Sequence, residues 1–221
     1  MPRRADRREF LKTSTAAGIG FWMASGLRAE ESDSPNERIA FACIGIGGKG
    51  SSDSADAAQN GDVVAICDIE ESRLEGAANR FPKAKRYKDF RKMLDEMGNS
   101  IDAVTVSTPD HTHAAAAVMA MRMKKHCFCQ KPLTRTLHEA RVMGNVAREM
   151  KVHTMMGNQG TAAASLRRSA AICKSGVLGK IDEVHVWSNR PIWPQGGERP
   201  APSEVPAGVD WDLWVGPSPM R

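Results

Sequence analysis

Continuous apolar runs alternate with helix-patterned stretches along most of this chain. "RIAFACIGIGGKG" is apolar and ends in glycines, "DVVAICD" ends in an acid, and "IDAVTVSTP", "KHCFCQKP" and "VHTMMGNQG" repeat the form. Helix-like segments lie between them at 70–80, 89–97, 111–124 and 135–150, and "AKRY" at 84–87 supplies a shorter strand. Strands that are apolar at successive positions are buried on both faces, which means a parallel sheet between two layers of helices. Right-handed crossovers wind such a sheet into a Rossmann-type, doubly wound α/β fold.

Local chemistry supports the helices. Asp110 is placed to cap "HTHAAAAVMAMRMKK", and Thr134 or Thr136 to cap "LHEARVMGNVAREM". Past residue 160 the texture changes. "TAAASLRRSAAICKSG" predicts a helix ending at Gly176, and "KIDEVHVWSN" alternates as a strand with Val184 and Val186 on one face. A Pro/Gly-rich loop and "VDWDLWVGPSPMR" follow. One helix, one strand and a long loop cannot bury a core of their own. Residues 161–221 therefore read as the start of an incomplete α+β substrate domain. No internal repeat is present.

Composition is that of an ordinary globular protein, 41% hydrophobic and 26% charged over 221 residues. The net charge of +5 is uneven: six basic residues against Asp6 and Glu9 put +4 of it in residues 1–29. Little basic surface remains for nucleic acid, and one Tyr and six Phe offer few stacking platforms. "RRADRREFLK" followed by "TSTAAGIGFWMASGL" has the order of a signal peptide, basic then apolar then small. Arg7-Arg8-Glu9-Phe10-Leu11-Lys12 resembles a twin-arginine export motif, an address read by the export machinery rather than an anchor. Residues 1–29 are expected to be that signal, 30–37 a linker, and the protein periplasmic with no stable membrane anchor. The alternative for the N-terminus is a basic amphipathic helix. Five cysteines without C-x-x-C spacing, most of them inside apolar runs, read as buried thiols rather than a disulfide or zinc framework.

Chemistry concentrates where the apolar runs end. Gly45, Gly47 and Gly50 form G-x-G-x-x-G directly after the first run. The turn Gly45-Ile46-Gly47-Gly48-Lys49-Gly50 is expected to bring backbone amides and a short helix, beginning near Ser51 or Ser52, to a pyrophosphate. Asp68 stands 23 positions after Gly45, the spacing of a ribose-binding acid. Its charge favours NAD over NADP, although Arg73 would offset it if turned inward. These features make residues 38–160 an NAD-binding domain. Asp110, His111 and His113 follow Pro109 at the ligand-binding edge of the third run, where both helix capping and ligand contact suit them. No third ligand at suitable spacing supports a metal site. Lys131 ends the fourth run, held extended by Pro132. Its ammonium reads either as a solvated charge or, if desolvated, as a proton-transfer group.

"GIGGKG", "CD", "STPDHTH", "CQKPL" and "GNQG", in that order, resemble the Gfo/Idh/MocA oxidoreductases over residues 38–221, and "EVHVWSNRPIWPQG" with "VDWDLWVGPSP" resembles an exported branch. The resemblance implies hydride transfer between NAD(H) and a secondary alcohol of a sugar or cyclitol. It places the family's E-K-P motif on Gln130-Lys131-Pro132, with Lys131 as the catalytic contact to substrate and nicotinamide and Gln130 departing from the usual Glu. It places the T-P-x-x-x-H motif on Thr108, Pro109 and His113, beside Ser107 in the cofactor cleft. Asn158 and Gln159 fall near the substrate. The family's acid and histidine on a second-domain helix would lie beyond Arg221. Trp187, Trp193, Trp211 and Trp214 suit either stacking on sugar faces or packing of the loop. Two other readings stand beside the dehydrogenase: an NAD-dependent glycoside hydrolase of the same superfamily, and a non-catalytic nucleotide-binding fragment. A homo-oligomer is compatible with each.

Overall fold

The computed structural model describes residues 38–189, 197–198 and 201–219. The expected signal and linker, Trp193 and much of the Pro/Gly loop lie outside the described residues.

Six strands form one parallel sheet: β1 (Ile39–Ile44), β2 (Gly61–Cys67), β3 (Lys85–Tyr87), β4 (Ala103–Val106), β5 (His126–Gln130) and β6 (Thr154–Gly157). Their order is β3-β2-β1-β4-β5-β6, the doubly wound order in which the chain reverses beside β1. α1 (Lys49–Asn60), α2 (Glu71–Ala78), α3 (Phe90–Met97), α4 (His113–Arg122) and α5 (Leu137–Met150) connect them.

The fully apolar runs behave as expected. All four residues of β4 are buried. The larger core joins Ile44, Val104, Val106, Met121 and Cys129 to Met93 and Leu94 of α3, and a smaller one joins Cys43, Ile46 and Ile66 to Leu74. Each Val, Leu, Ile or Met among them contributes about 1.5–3 kcal/mol on burial. Thr136 caps α5 through a capping box: its side chain accepts the Glu139 N–H, and the Glu139 carboxylate accepts the Thr136 N–H at 2.8 Å, an arrangement worth about 1 kcal/mol.

Several expectations give way. Asp110 does not cap α4. Residues Asp110–Thr112 form a separate 3₁₀ turn, and Thr112, at the N-cap position, makes no side-chain cap. α1 begins at Lys49, two residues before Ser51, and runs for 12 residues. "KIDEVHVWSN" forms no strand over its described residues, with Val184 at 74% and Val186 at 91% exposure. Alternation alone cannot hold a strand, because the ladder and the buried face both need a partner. The helix expected after residue 160 is broken at Ala163 into α6 (Gln159–Ala162) and α7 (Ala164–Lys174).

Cys43, Cys67, Cys127 and Cys129 are buried free thiols and Cys173 is exposed. Burial pushes the Cys43 thiol up to about 11 and Cys129 to about 12, with Cys67 and Cys127 raised further for the same reason. The reactive species is the thiolate. At pH about 8, one thiol per native chain, Cys173, should react with a disulfide reagent within minutes, and four more only after denaturant. Rapid reaction of two or more native thiols would contradict this packing.

Candidate functional site

The register of the sheet builds the site. Ile44 pairs with Cys67 and Val106, Val106 with Cys129, and Gln130 with Gly157. Gly45, Asp68, Ser107, Lys131 and Asn158 therefore leave the sheet along one edge. It is the carboxyl-end edge, where open parallel sheets bind ligands. Backbone bonds continue the ladder past the strands: Gly45 N–H donates to the Cys67 carbonyl and Ser107 N–H to the Ile44 carbonyl, both at 2.8 Å.

The glycine turn is close-packed. Gly45 has φ +77°, and a Cβ there would lie 2.7 Å from the Ser107 carbonyl carbon and oxygen. A Cβ at Gly50 would overlap the Gly45 carbonyl. Gly48 occupies the N-cap position of α1 without a side-chain cap, and the Gly50 and Ser51 N–H groups donate to the Gly47 and Gly48 carbonyls at 2.9 and 3.2 Å. The helix dipole and the amides ahead of Gly50 are therefore what an anion meets. Ile46 serves differently. Its side chain is buried in the smaller core, and its N–H donates to Asp68 Oδ2 at 3.0 Å, so it anchors the turn. Lys49 Nζ pairs with Asp53 Oδ1 at 2.7 Å.

Asp68 is 6% exposed, and its Oδ1 accepts the Glu70 N–H at 3.1 Å. A carboxylate offers about four lone-pair directions, so two remain for ribose hydroxyls. It lines a cavity of about 240 Å³ together with Gly45, Arg73, Thr108, Trp211 and Trp214. Arg73 Nε pairs with Glu70 Oε2, and Lys88 Nζ, also on the cavity wall, pairs with Glu71 Oε2, both at 2.7 Å. Lys88 is thus matched by a glutamate. The Arg73 guanidinium, with Nε on Glu70, also lies over the glycine turn, where a Cβ at Gly47 would meet its Nη1 at 2.5 Å. The inward turn of Arg73 that offsets the Asp68 charge is therefore present. Thr108 Oγ1 is buried with no hydrogen-bond partner among the described residues. An unmet hydroxyl on a cavity wall is a place for a ligand atom, and the glycine turn, Asp68 and Thr108 together fit a dinucleotide.

His113 is 1% exposed, with Nε2 2.7 Å from the Thr108 carbonyl and Nδ1 2.8 Å from the Pro132 carbonyl. It ties the segment after β4 to the segment after β5, and it is not among the residues lining the cavity that holds Asp68, where the resemblance put it in the cleft. His111 Nε2 lies 2.7 Å from the Trp214 carbonyl, and the two rings meet edge-on at 5.3 Å. It is therefore bound to the later segment rather than capping a helix.

Lys131 is exposed, the solvated one of the two alternatives its sequence left open. Its backbone N–H donates to Gln130 Oε1 at 3.2 Å, and the peptide to Pro132 is cis. Asn158 and Gln159, also exposed, sit at the neighbouring tip of β6. The structure thus gathers Lys131, Asn158 and Gln159 onto adjacent strand ends.

Two contributors go beyond the sequence reading, one not expected at all and one expected with another role. Asp53, 5% exposed, faces the sheet from α1 beneath the glycine turn. Buried positions 50, 53, 54 and 57 follow the helical period, and a carboxylate on that inner stripe was the available signal. The second is the segment around α8 (Trp211–Val215). Glu71 N–H donates to the Gly208 carbonyl, Asp210 N–H to the Ile69 carbonyl, and Val209 bridges to Glu70. Trp211 and Trp214 stack at 4.9 Å and 6° on the cavity that holds Asp68, so they stand at the β2 end of the edge rather than on a sugar beside Lys131. Trp187 is 85% exposed.

The profile of the Gfo/Idh/MocA oxidoreductase family, described by its NAD-binding Rossmann fold, matches residues 39–158. A myo-inositol 2-dehydrogenase of Thermotoga maritima is 26% identical over 130 residues, 59% of this chain and 38% of that protein. The crystal structure of myo-inositol 2-dehydrogenase from Lactobacillus plantarum superposes with a TM-score of 0.61 at 26% identity, covering 66% of this chain and 43% of that one. A glycosyl hydrolase family 109 protein of Solibacter usitatus is 29% identical over 169 residues, 68% of this chain and 38% of that protein. The chain spans about two-fifths of the length of these relatives.

Proposed function

We propose that this chain, which belongs to the Gfo/Idh/MocA family of NAD-binding oxidoreductases, carries the nucleotide half of a dehydrogenase acting on a secondary alcohol of a sugar, cyclitol or derivative. The observation that carries the reading is the shared register, which sets the glycine turn, Asp68, Lys131 and Asn158 along one sheet edge.

The residues divide the work. The α1 dipole and the turn amides ahead of Gly50 hold the pyrophosphate, Asp68 accepts the adenosine ribose hydroxyls, and Thr108 Oγ1 bonds a polar atom of the bound nucleotide. Bound NAD supplies the hydride acceptor, and the protein supplies binding and orientation. Lys131 Nζ, on the tip of β5, holds the reacting hydroxyl. In its neutral form it takes the hydroxyl proton as alcohol becomes ketone, and returns it in the reverse direction. Asn158 and Gln159 hydrogen-bond further hydroxyls of the substrate. In keeping with the twin-arginine pattern of residues 7–12, the protein is exported in folded form to the periplasm.

Calorimetric titration of NAD and NADP into the purified chain, followed by a polyol and keto-sugar screen read at the NADH absorbance, tests this. Saturable NAD binding at least tenfold tighter than NADP, about 1.4 kcal/mol, is expected. Absence of saturable binding at millimolar NAD would overturn the reading. The Solibacter relative favours a second one, glycoside cleavage through transient oxidation. Aglycone release from an aryl glycoside without net NADH would identify it.

A further inference from the structure

We propose that Asp53 is a positioning residue which supplies, from α1, the carboxylate absent from the β5 tip, and that position 130 is an amide because Asp53 faces it. The inference rests on the cleft being a nucleotide site. Asp53 Oδ2 accepts from Ser107 Oγ at 2.7 Å and from Gln130 Nε2 at 2.8 Å, while Oδ1 pairs with Lys49 Nζ. Gln130 is 4% exposed, and its Oε1 accepts the Lys131 N–H. The same amide lies across Gly157, where a Cβ would meet Gln130 Cδ and Nε2 at 2.6 Å. One line of polar contacts therefore runs from Lys49 in the glycine turn, through Asp53 and Gln130, to the backbone of Lys131.

The chemistry of the two side chains explains the pairing. An ionised carboxylate only accepts hydrogen bonds, whereas an amide both donates and accepts. Gln130 gives Nε2–H to Asp53 and keeps Oε1 for Lys131. A glutamate at 130 would meet Asp53 acceptor to acceptor, and two buried carboxylates in contact cannot both stay ionised. The charged and titratable groups around Asp53 include Lys49 in its own helix, Asp56 on the same helix and cavity wall, the buried Cys43 thiol of β1, whose ionisation Asp53 opposes, and Arg80, bonded to Ser51. None of these stands between Asp53 and Gln130.

The test is NAD titration of wild type, Gln130→Glu, Asp53→Asn and the double variant at pH about 6 and 8, with urea unfolding of the same proteins. Gln130→Glu should lose at least tenfold in NAD affinity at pH 8, about 1.4 kcal/mol. The shared proton raises one carboxyl's folded-state pKa, so the deficit should be small at low pH and grow as pH rises. In the double variant, Asp53→Asn restores a donor to the pair through its side-chain amide and should recover most of the loss at both pH values. Additive losses in the double variant, or a Gln130→Glu deficit equal at both pH values, would overturn the proposal. If wild type itself binds no NAD, the nucleotide reading fails. The unfolding midpoints then decide this one alone: coupling between positions 53 and 130 supports it, and its absence refutes it. Should Gln130→Glu not fold, folding of the double variant supports the proposal and failure of both refutes it.

Discussion

An alanine at Gly50 is expected to leave the protein unable to hold NAD at concentrations that saturate the wild type. The added Cβ meets the Gly45 carbonyl, whose carbon is 2.7 Å away, and that atom is backbone. Gly45 is held in place by the tip of the sheet, its N–H donating to the Cys67 carbonyl at 2.8 Å beside the Ser107 N–H bond to the Ile44 carbonyl. The turn must therefore lift away from α1, and the amides that would meet the pyrophosphate move with it. Overpacking of this kind costs about 1–3 kcal/mol in stability, at the upper end where backbone is the obstacle. Calorimetric titration and a urea midpoint measure the two effects separately. Gly76 is the control: it is exposed in α2 with open space around it, and alanine there should bind NAD as the wild type does. Unchanged affinity in Gly50→Ala would remove the glycine turn from the site.

Lys131→Ala should act on the opposite side of the cycle. Its side chain is exposed at the β5 tip and contributes nothing to the cavity around Asp68. Removing a proton-transfer group lowers turnover by about 10²–10⁴-fold. Affinity for NAD should stay within about twofold, because the pyrophosphate and ribose contacts lie on other strands. Steady-state rates on an active substrate, paired with NAD titration, make the comparison. Wild-type turnover in the variant would end the catalytic assignment of Lys131, and a parallel loss of NAD affinity would recast it as a cofactor contact.

Much of the fold was legible because it depends on short-range pattern. "IDAVTVSTP" reads as a doubly buried strand on its own residues, and β4 is buried throughout. The glycine turn and Asp68 were legible for a related reason: their spacing counts out a strand, a helix and a second strand. "KIDEVHVWSN" shows where that logic stops, since its alternation states a preference that only a neighbouring strand could realise. Gln130 marks a different boundary. In sequence it is only a lost acid. Its meaning depends on Asp53, 77 positions earlier, and a contact across that distance leaves no periodic trace. His113 was read as lining the cofactor cleft, whereas both its ring nitrogens meet carbonyls, partners that became visible only with the tips of β4 and β5 side by side.

The stacked tryptophans carry a consequence of their own. Trp211 and Trp214 close one wall of the cavity, while Ile69, Glu70 and Glu71 hold the backbone that bears them. Whatever fills that space touches both the Rossmann body and this strap, so occupancy and docking of the strap form a single linked equilibrium. A guest that favours the docked form makes it harder to peel away, by the same free energy with which the docked strap retains the guest.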